Sequence, residues 1–120
     1  DHVGPIAQAQ GITVILNRMA EDYKKWPMPV ILTGDMNATP DSPVIKTILK
    51  FTGAGEKLAD MTEPAGFTFH NNNPETTQVK IDYVFSNLPY AEPARTMKMD
   101  DEVNGITVSD HYPVGAALEL

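Results

Sequence analysis

Three short acidic motifs carry side chains that could hydrolyse a phosphate ester. They are Gly34-Asp35-Met36-Asn37, Lys80-Ile81-Asp82-Tyr83 and Ser109-Asp110-His111. Each adjoins an apolar run that is typical of a β-strand, so each is expected to deliver its polar side chains to one edge of a sheet. Together they supply carboxylates, an amide and an imidazole, which can hold a hard cation and activate a water molecule. This combination favours an enzyme.

The first motif offers a carboxylate and an amide close together. Asp35 follows a glycine at the end of an apolar run, and Asn37 lies two residues further on. If the chain stays extended, both side chains point to the same side. The carboxylate can then accept a proton from water while the amide donates to a phosphoryl oxygen. The alternative interpretation is a plain Asx turn, because Gly-Asp-X-Asn is rich in turn-forming residues.

Asp82 lies within an otherwise apolar segment, where a buried and unpaired carboxylate would be strongly destabilising. His111 is the candidate partner. A carboxylate that accepts a hydrogen bond from one ring nitrogen fixes the tautomer and raises the basicity of the other nitrogen. The alternative is an outward-facing Asp82 on a half-exposed strand.

Asp110 is the predicted metal ligand. Mg²⁺ takes oxygen donors and keeps several of its waters, so one or two carboxylates and a substrate phosphate suffice; Mn²⁺ is the alternative ion. His2, His70 and Lys80 are weaker candidates: His70 could border a substrate pocket, and Lys80 could touch a phosphate. For His70 and Lys80, solvated surface positions are the stronger expectation.

The apolar pattern predicts the elements that position these motifs. Spacings of three and four residues predict a helix over residues 5–25, which the following prolines terminate. A second helix is expected to begin with Asp41 or Ser42 as N-cap and Pro43 in its first turn, and to end at Gly53 or Gly55. Strands are predicted over residues 30–33, 67–69, 81–85, 94–99 and 114–120, with a solvated loop at 100–102 and a tight turn at 104–105. This order predicts a mixed α/β layered domain.

Composition narrows the classes of partner. The chain has 120 residues, 42% of them hydrophobic, and no cysteine, which suits one domain with a modest core. No apolar stretch approaches the roughly 20 residues of a membrane helix. The net charge is −7 and the basic residues are scattered, so a small phosphorylated substrate is favoured over a long polyanion. A nucleic acid stays possible, and the cellular compartment stays open.

The three motifs, taken in order, resemble those of the endonuclease/exonuclease/phosphatase superfamily. Its members carry a Gly-Asp-X-Asn motif, an Ile-Asp-Tyr strand and a terminal Ser-Asp-His, which correspond here to residues 34–37, 81–83 and 109–111. The resemblance implies the deoxyribonuclease-I-like fold. That fold is a four-layer α/β sandwich with mixed, mostly antiparallel sheets and flanking helices.

The resemblance also implies a role for each residue. Asp35 would orient or deprotonate the attacking water, and Asn37 would steady the transition state. Asp110 would lie at the metal, and Asp82 would support His111 at the phosphate.

The resemblance further implies that residues 1–120 are one partial domain, the C-terminal half of such a sandwich. The other half would supply a metal-binding Glu, a phosphate-contacting Asn and an upstream His, whose segment would end in Asp1-His2-Val3-Gly4. The expected function is therefore a metal-dependent phosphoesterase that is inactive, or nearly so, as this chain alone. It would need its missing half, and self-association is a secondary expectation. The alternatives are a nuclease acting on DNA or RNA and a non-catalytic, truncated interaction module.

Overall fold

The computed structural model describes residues 4–120, the side chains of residues 90–94 excepted. His2, and with it most of the segment Asp1-His2-Val3-Gly4, lies outside the described residues. The elements in chain order are α1 (Pro5–Lys25), β1 (Ile31–Asp35), α2 (Pro43–Lys50), β2 (Ala59–Asp60), a 3₁₀ turn (Glu63–Ala65), β3 (Asp82–Ser86), β4 (Tyr90–Lys98), β5 (Glu102–Val103), β6 (Ile106–Thr107) and β7 (Val114–Leu118).

Both helices begin where the sequence predicts. Pro5 occupies the first turn of α1, and its missing N–H costs nothing there because first-turn N–H groups have no intrahelical acceptor. Ser42 caps α2 by accepting a hydrogen bond from the Ile45 N–H. The helix α2 ends at Lys50, before the predicted glycines, because Phe51 adopts an extended backbone and packs against the core. Within the part of the chain that the structure describes, no helix is both long enough and apolar enough to cross a bilayer.

The central strand β3 pairs antiparallel with β1 on one side and with β2 on the other. A second antiparallel pair is formed by β4 and β7, and β5 and β6 form a short hairpin. Positive φ angles of 55° at Asn104 and 75° at Gly105 make the tight turn of that hairpin, as predicted. One face of the first sheet packs on both helices through Ile12, Leu16, Ile45, Ile48, Tyr83 and Phe85.

Two local predictions are wrong. Residues 67–69 form no strand: Phe69 makes single bridges to Val79 and His111, and the N–H groups of Thr68 and Phe69 share one acceptor, the Val79 carbonyl. Sharing one carbonyl prevents the alternating hydrogen bonds of a regular ladder. The acidic segment 100–102 was expected to be a loop throughout, but Glu102 begins β5 because the following tight turn folds the chain back on itself.

Candidate active site

The pairing of β1 with β3 brings the first two acidic motifs together. Asp35 is the last residue of β1 and lies directly opposite Asp82, the first residue of β3. His111 reaches the same place from the segment before β7, where its backbone bridges Phe69. One potential ligand atom from each of Asp35, Asp82 and His111 lies within 4.8 Å of the others. The structure therefore gathers three of the five predicted site residues into one group.

Asp82 and His111 form a hydrogen-bonded pair. His111 Nδ1 lies 2.8 Å from Asp82 Oδ2, so the carboxylate accepts the Nδ1–H. The Thr68 hydroxyl donates to the same Oδ2 at 2.7 Å. Thr68 is fully buried, and its oxygen also accepts the backbone N–H groups of Ile81 and Asp82, both at 3.1 Å. Asp82 therefore has the partners that its position in an apolar strand requires, and it fixes the imidazole ring.

Thr68 is a site residue that sequence reasoning missed. Its hydroxyl contacts a carboxylate fourteen residues away in the chain, and a lone threonine in an apolar run carries no sign of that contact.

The His111 ring faces a second carboxylate through its other nitrogen. Nε2 lies 3.9 Å from Asp35 Oδ2. Partial burial of the ring lowers its pKa, but the hydrogen bond to Asp82 and the charges of Asp82, Asp35 and Asp110 raise it. The net result is a His111 pKa above the ordinary histidine value. The protonated ring donates from both nitrogens, so Nε2–H can donate to a phosphoryl oxygen.

We expect His111 to titrate at a higher pH than a free histidine, and Asp82→Asn to move that titration downward. The folded-state pKa is raised, so the protonated ring stabilises the fold fully below the unfolded pKa, and this stabilisation is lost as the pH rises through the folded pKa. The measurement is an NMR pH titration of the imidazole signals. A His111 pKa unchanged by Asp82→Asn would contradict the assigned hydrogen bond.

The backbone after Asp35 turns instead of continuing extended, so the expectation that an extended chain aligns Asp35 with Asn37 is wrong. Asp35 Oδ1 accepts the Asn37 N–H at 2.8 Å, which is an Asx turn, and Asn37 adopts a left-handed φ of 48°. Gly34 precedes the turn at φ 153°, a value that side-chain-bearing residues rarely adopt. The two interpretations of this motif are compatible, because Oδ1 makes the turn while Oδ2 faces His111.

Asp110 lies beside the group rather than within it. Its carbonyl accepts the His70 N–H at 3.0 Å, and its half-buried carboxylate is not one of the three ligands within 4.8 Å of each other. The charge of Asp110 nevertheless acts on His111, whose pKa it raises.

His70 and Lys80 are both buried, so the expectation of solvated surface positions is wrong for both. The His70 ring packs against Tyr112 with centroids 4.5 Å apart, and its Nδ1 accepts the Asn72 N–H. The Lys80 Nζ forms an ion pair with Asp60 Oδ2 at a distance of 3.4 Å. Its partners come from a segment without a recognisable pattern, so the sequence does not show that this lysine turns inward.

An open cleft of about 520 Å³ runs along this part of the sheet. Asp35, Asp82 and His111 border it, together with apolar side chains such as Val84 and Val114. The donors suit a divalent cation of the Mg²⁺ or Mn²⁺ type in part: the carboxylates offer the oxygen ligands that such ions prefer, whereas an imidazole is more typical of zinc, iron or copper sites. Because Asp82 already holds the His111 ring, Asp35 is the carboxylate of this group that is better placed to face an ion.

Fold and site together define an α/β protein with a carboxylate–imidazole pair where the strands of an antiparallel sheet end. The chain belongs to the Endonuclease/Exonuclease/phosphatase family, whose model matches residues 22–111. That family includes hydrolases that act on phosphate esters. A comparison with curated proteins gives no match.

Three solved structures are similar to the chain. A functionally unknown conserved protein from Enterococcus faecalis V583 is 27% identical, with a TM-score of 0.76, over 99% of this chain and 47% of that one. An endonuclease/exonuclease/phosphatase from Bacteroides vulgatus is 30% identical, with a TM-score of 0.71, over 100% and 46%. A mannosyl-6-phosphatase from Bacteroides thetaiotaomicron VPI-5482 is 24% identical, with a TM-score of 0.76, over 100% and 48%.

The chain thus spans about half the length of these structures. The predicted fold class is confirmed: a mixed α/β arrangement with antiparallel sheets and flanking helices, matching half of an endonuclease/exonuclease/phosphatase domain.

Proposed function

We propose that this chain carries the water-activating part of a metal-dependent phosphoesterase site. The observation that supports the proposal most strongly is the Asp82–His111 hydrogen bond, with Asp35 facing the other ring nitrogen. A carboxylate that holds an imidazole beside a second carboxylate suits proton transfer and charge stabilisation at one reacting centre.

Each residue has a distinct role in this proposal. Asp35 orients the attacking water and accepts its proton. Asp82 holds the His111 ring, and Nε2–H of the protonated ring donates to a phosphoryl oxygen, where charge accumulates. Asn37 donates from its exposed amide to another phosphoryl oxygen. A divalent cation held by Asp110 would offset the negative charge of the phosphate.

A small phosphorylated substrate fits the chain better than a nucleic acid. The net charge is −7, which disfavours a polyanion that needs many cationic contacts. One of the similar structures is a mannosyl-6-phosphatase, which adds sugar phosphates to the compounds worth assaying.

We propose, further, that residues 1–120 form a single partial domain and that another segment completes the metal site. The chain covers less than half of each similar structure. Mg²⁺ sites commonly use one or two carboxylates, and Asp110 stands apart from the Asp35 group. On this view the chain alone has little or no activity.

The test joins the chain to the N-terminal portion of the similar Enterococcus faecalis protein and assays phosphate monoesters, phosphate diesters, sugar phosphates and oligonucleotides. We expect hydrolysis of a small ester by the joined protein, abolished by EDTA and restored by Mg²⁺ or Mn²⁺. Preference for oligonucleotides would favour a nuclease. A folded joined protein without any hydrolysis would favour a non-catalytic interaction module, and rapid turnover by the chain alone would refute its incompleteness.

A further inference from the structure

The backbone of Asn37 adopts an uncommon conformation. Asn37 has a φ of 48°, in the left-handed region that residues other than glycine seldom occupy, although asparagine tolerates it better than most. Its N–H is satisfied by Asp35 Oδ1 at 2.8 Å. Its carbonyl accepts a hydrogen bond from Gln8 Nε2 at 2.9 Å. Both backbone polar groups of this exposed turn residue therefore have hydrogen-bond partners.

Gln8 reaches the turn from a different element, 29 residues earlier in the chain. It lies in the early part of α1, and α1 is anchored to the core by the buried side chains of Ile12 and Leu16. A residue on an anchored helix provides a fixed donor, because its backbone cannot follow movements of the turn. The donor must be the Gln8 amide N–H₂, since a carbonyl oxygen only accepts.

The residues on either side of Asn37 are fixed to the sheet. The Met36 N–H donates to the Ile81 carbonyl at 2.8 Å, and the buried Tyr83 hydroxyl donates to the Ala38 carbonyl at 2.7 Å. The sheet thus fixes the residues before and after Asn37, whereas its own carbonyl is held by helix α1. Rotation of the peptide group between Asn37 and Ala38 would change the backbone conformation of Asn37. The direction of its side-chain amide would change with it.

We propose that Gln8 is a positioning residue that sets the direction of the Asn37 side chain in the site. The part of this inference that concerns catalysis rests on the proposed function; the part that concerns the conformation of Asn37 does not. Gln8 is not among the residues that line the cleft, and its hydrogen bond to the Asn37 carbonyl is the contact through which it would act.

The decisive variant is Gln8→Glu, which keeps the side-chain length and helix propensity but replaces the donor by an acceptor that repels the Asn37 carbonyl. Gln8→Arg restores a donor. Gln10→Glu makes the same charge change two residues away, on an exposed position of the same helix. The first readout is the HN–Hα coupling constant and side-chain NH₂ signals of Asn37 by NMR, in the whole chain.

Of the three variants, we expect only Gln8→Glu to shift the Asn37 signals. The signals in Gln8→Arg, which keeps a donor, should stay near those of the unaltered chain. In the joined protein described above, Gln8→Glu should lower kcat up to about tenfold with KM unchanged, as expected for one hydrogen bond that orients a transition-state donor. Unchanged Asn37 signals in Gln8→Glu, or an equal change in Gln10→Glu, would overturn the inference. Shifted Asn37 signals with an unchanged kcat would overturn the catalytic part alone. If the joined protein has no activity at all, the proposed function fails while the NMR result still decides the role of Gln8.

Discussion

We expect Asp82→Asn to lower phosphate-ester hydrolysis by the joined protein by about 10²–10⁴-fold, the range for loss of a residue that supports a catalytic imidazole. Asp82 Oδ2 accepts from both the Thr68 hydroxyl and the His111 Nδ1–H. An asparagine whose amide oxygen takes the Oδ2 position can still accept both hydrogen bonds, but it carries no negative charge. The imidazole then loses the charge that favours its protonated form, and with the N–H₂ group at that position it loses the hydrogen bond as well. The measurement is kcat, taken with KM at saturating metal concentration.

The matched control for Asp82→Asn is Asp101→Asn, which removes the same charge from an exposed loop position. We expect the control to change kcat less than twofold, because an exposed charge of this kind is screened by solvent. Thr68→Val is an intermediate case, since it removes one donor but leaves Asp82 charged and bound to His111. Activity within a few-fold of the original in Asp82→Asn would exclude the imidazole from the role proposed here.

The parts of the site that could be predicted from sequence are those with a local signal. Asp35 and Asp82 each adjoin a short apolar run, and antiparallel pairing of these runs places the two residues opposite each other. The Asp82–His111 contact could be inferred because a carboxylate within an apolar strand needs a partner. The helices and the hairpin turn at 104–105 were likewise predictable, since proline, Ser42 and Asn-Gly are strong local signals.

The parts that escaped prediction depend on contacts between distant segments. Thr68, Lys80 and Gln8 are ordinary polar residues in sequence, and their importance comes from partners 14 to 29 residues away. The Asx turn at Asp35 shows a different difficulty. A turn motif and a catalytic motif can have the same sequence, and only the geometry shows that one carboxylate oxygen serves the turn while the other faces His111.

Asp60→Asn has the largest expected effect on stability, because it leaves a buried ammonium without its closest counter-charge. The Lys80 and Asp60 side chains are only 9% and 14% exposed, and Nζ lies 3.4 Å from Asp60 Oδ2. Nζ also donates to the Thr62 hydroxyl and carbonyl and to the Asp82 carbonyl. Lys80 therefore connects the start of β3 to the segment around Thr62. Burial lowers the pKa of Lys80, whereas the charges of nearby carboxylates, Asp60 first among them, act in the opposite direction.

Removing one partner of a buried pair typically costs about 3–5 kcal/mol, and we expect Asp60→Asn to lower the free energy of unfolding by about that amount. Lys80→Met should cost less, because the remaining Asp60 Oδ1 still accepts from the Thr62 N–H and hydroxyl. The double variant should recover part of the loss, since it removes both charges from the interior.

Chemical denaturation measures each value, and Asp22→Asn, whose ion pair with Arg18 is exposed, is the control. An Asp60→Asn loss no larger than that of Asp22→Asn would show that the Lys80 ammonium does not need Asp60 to stay buried.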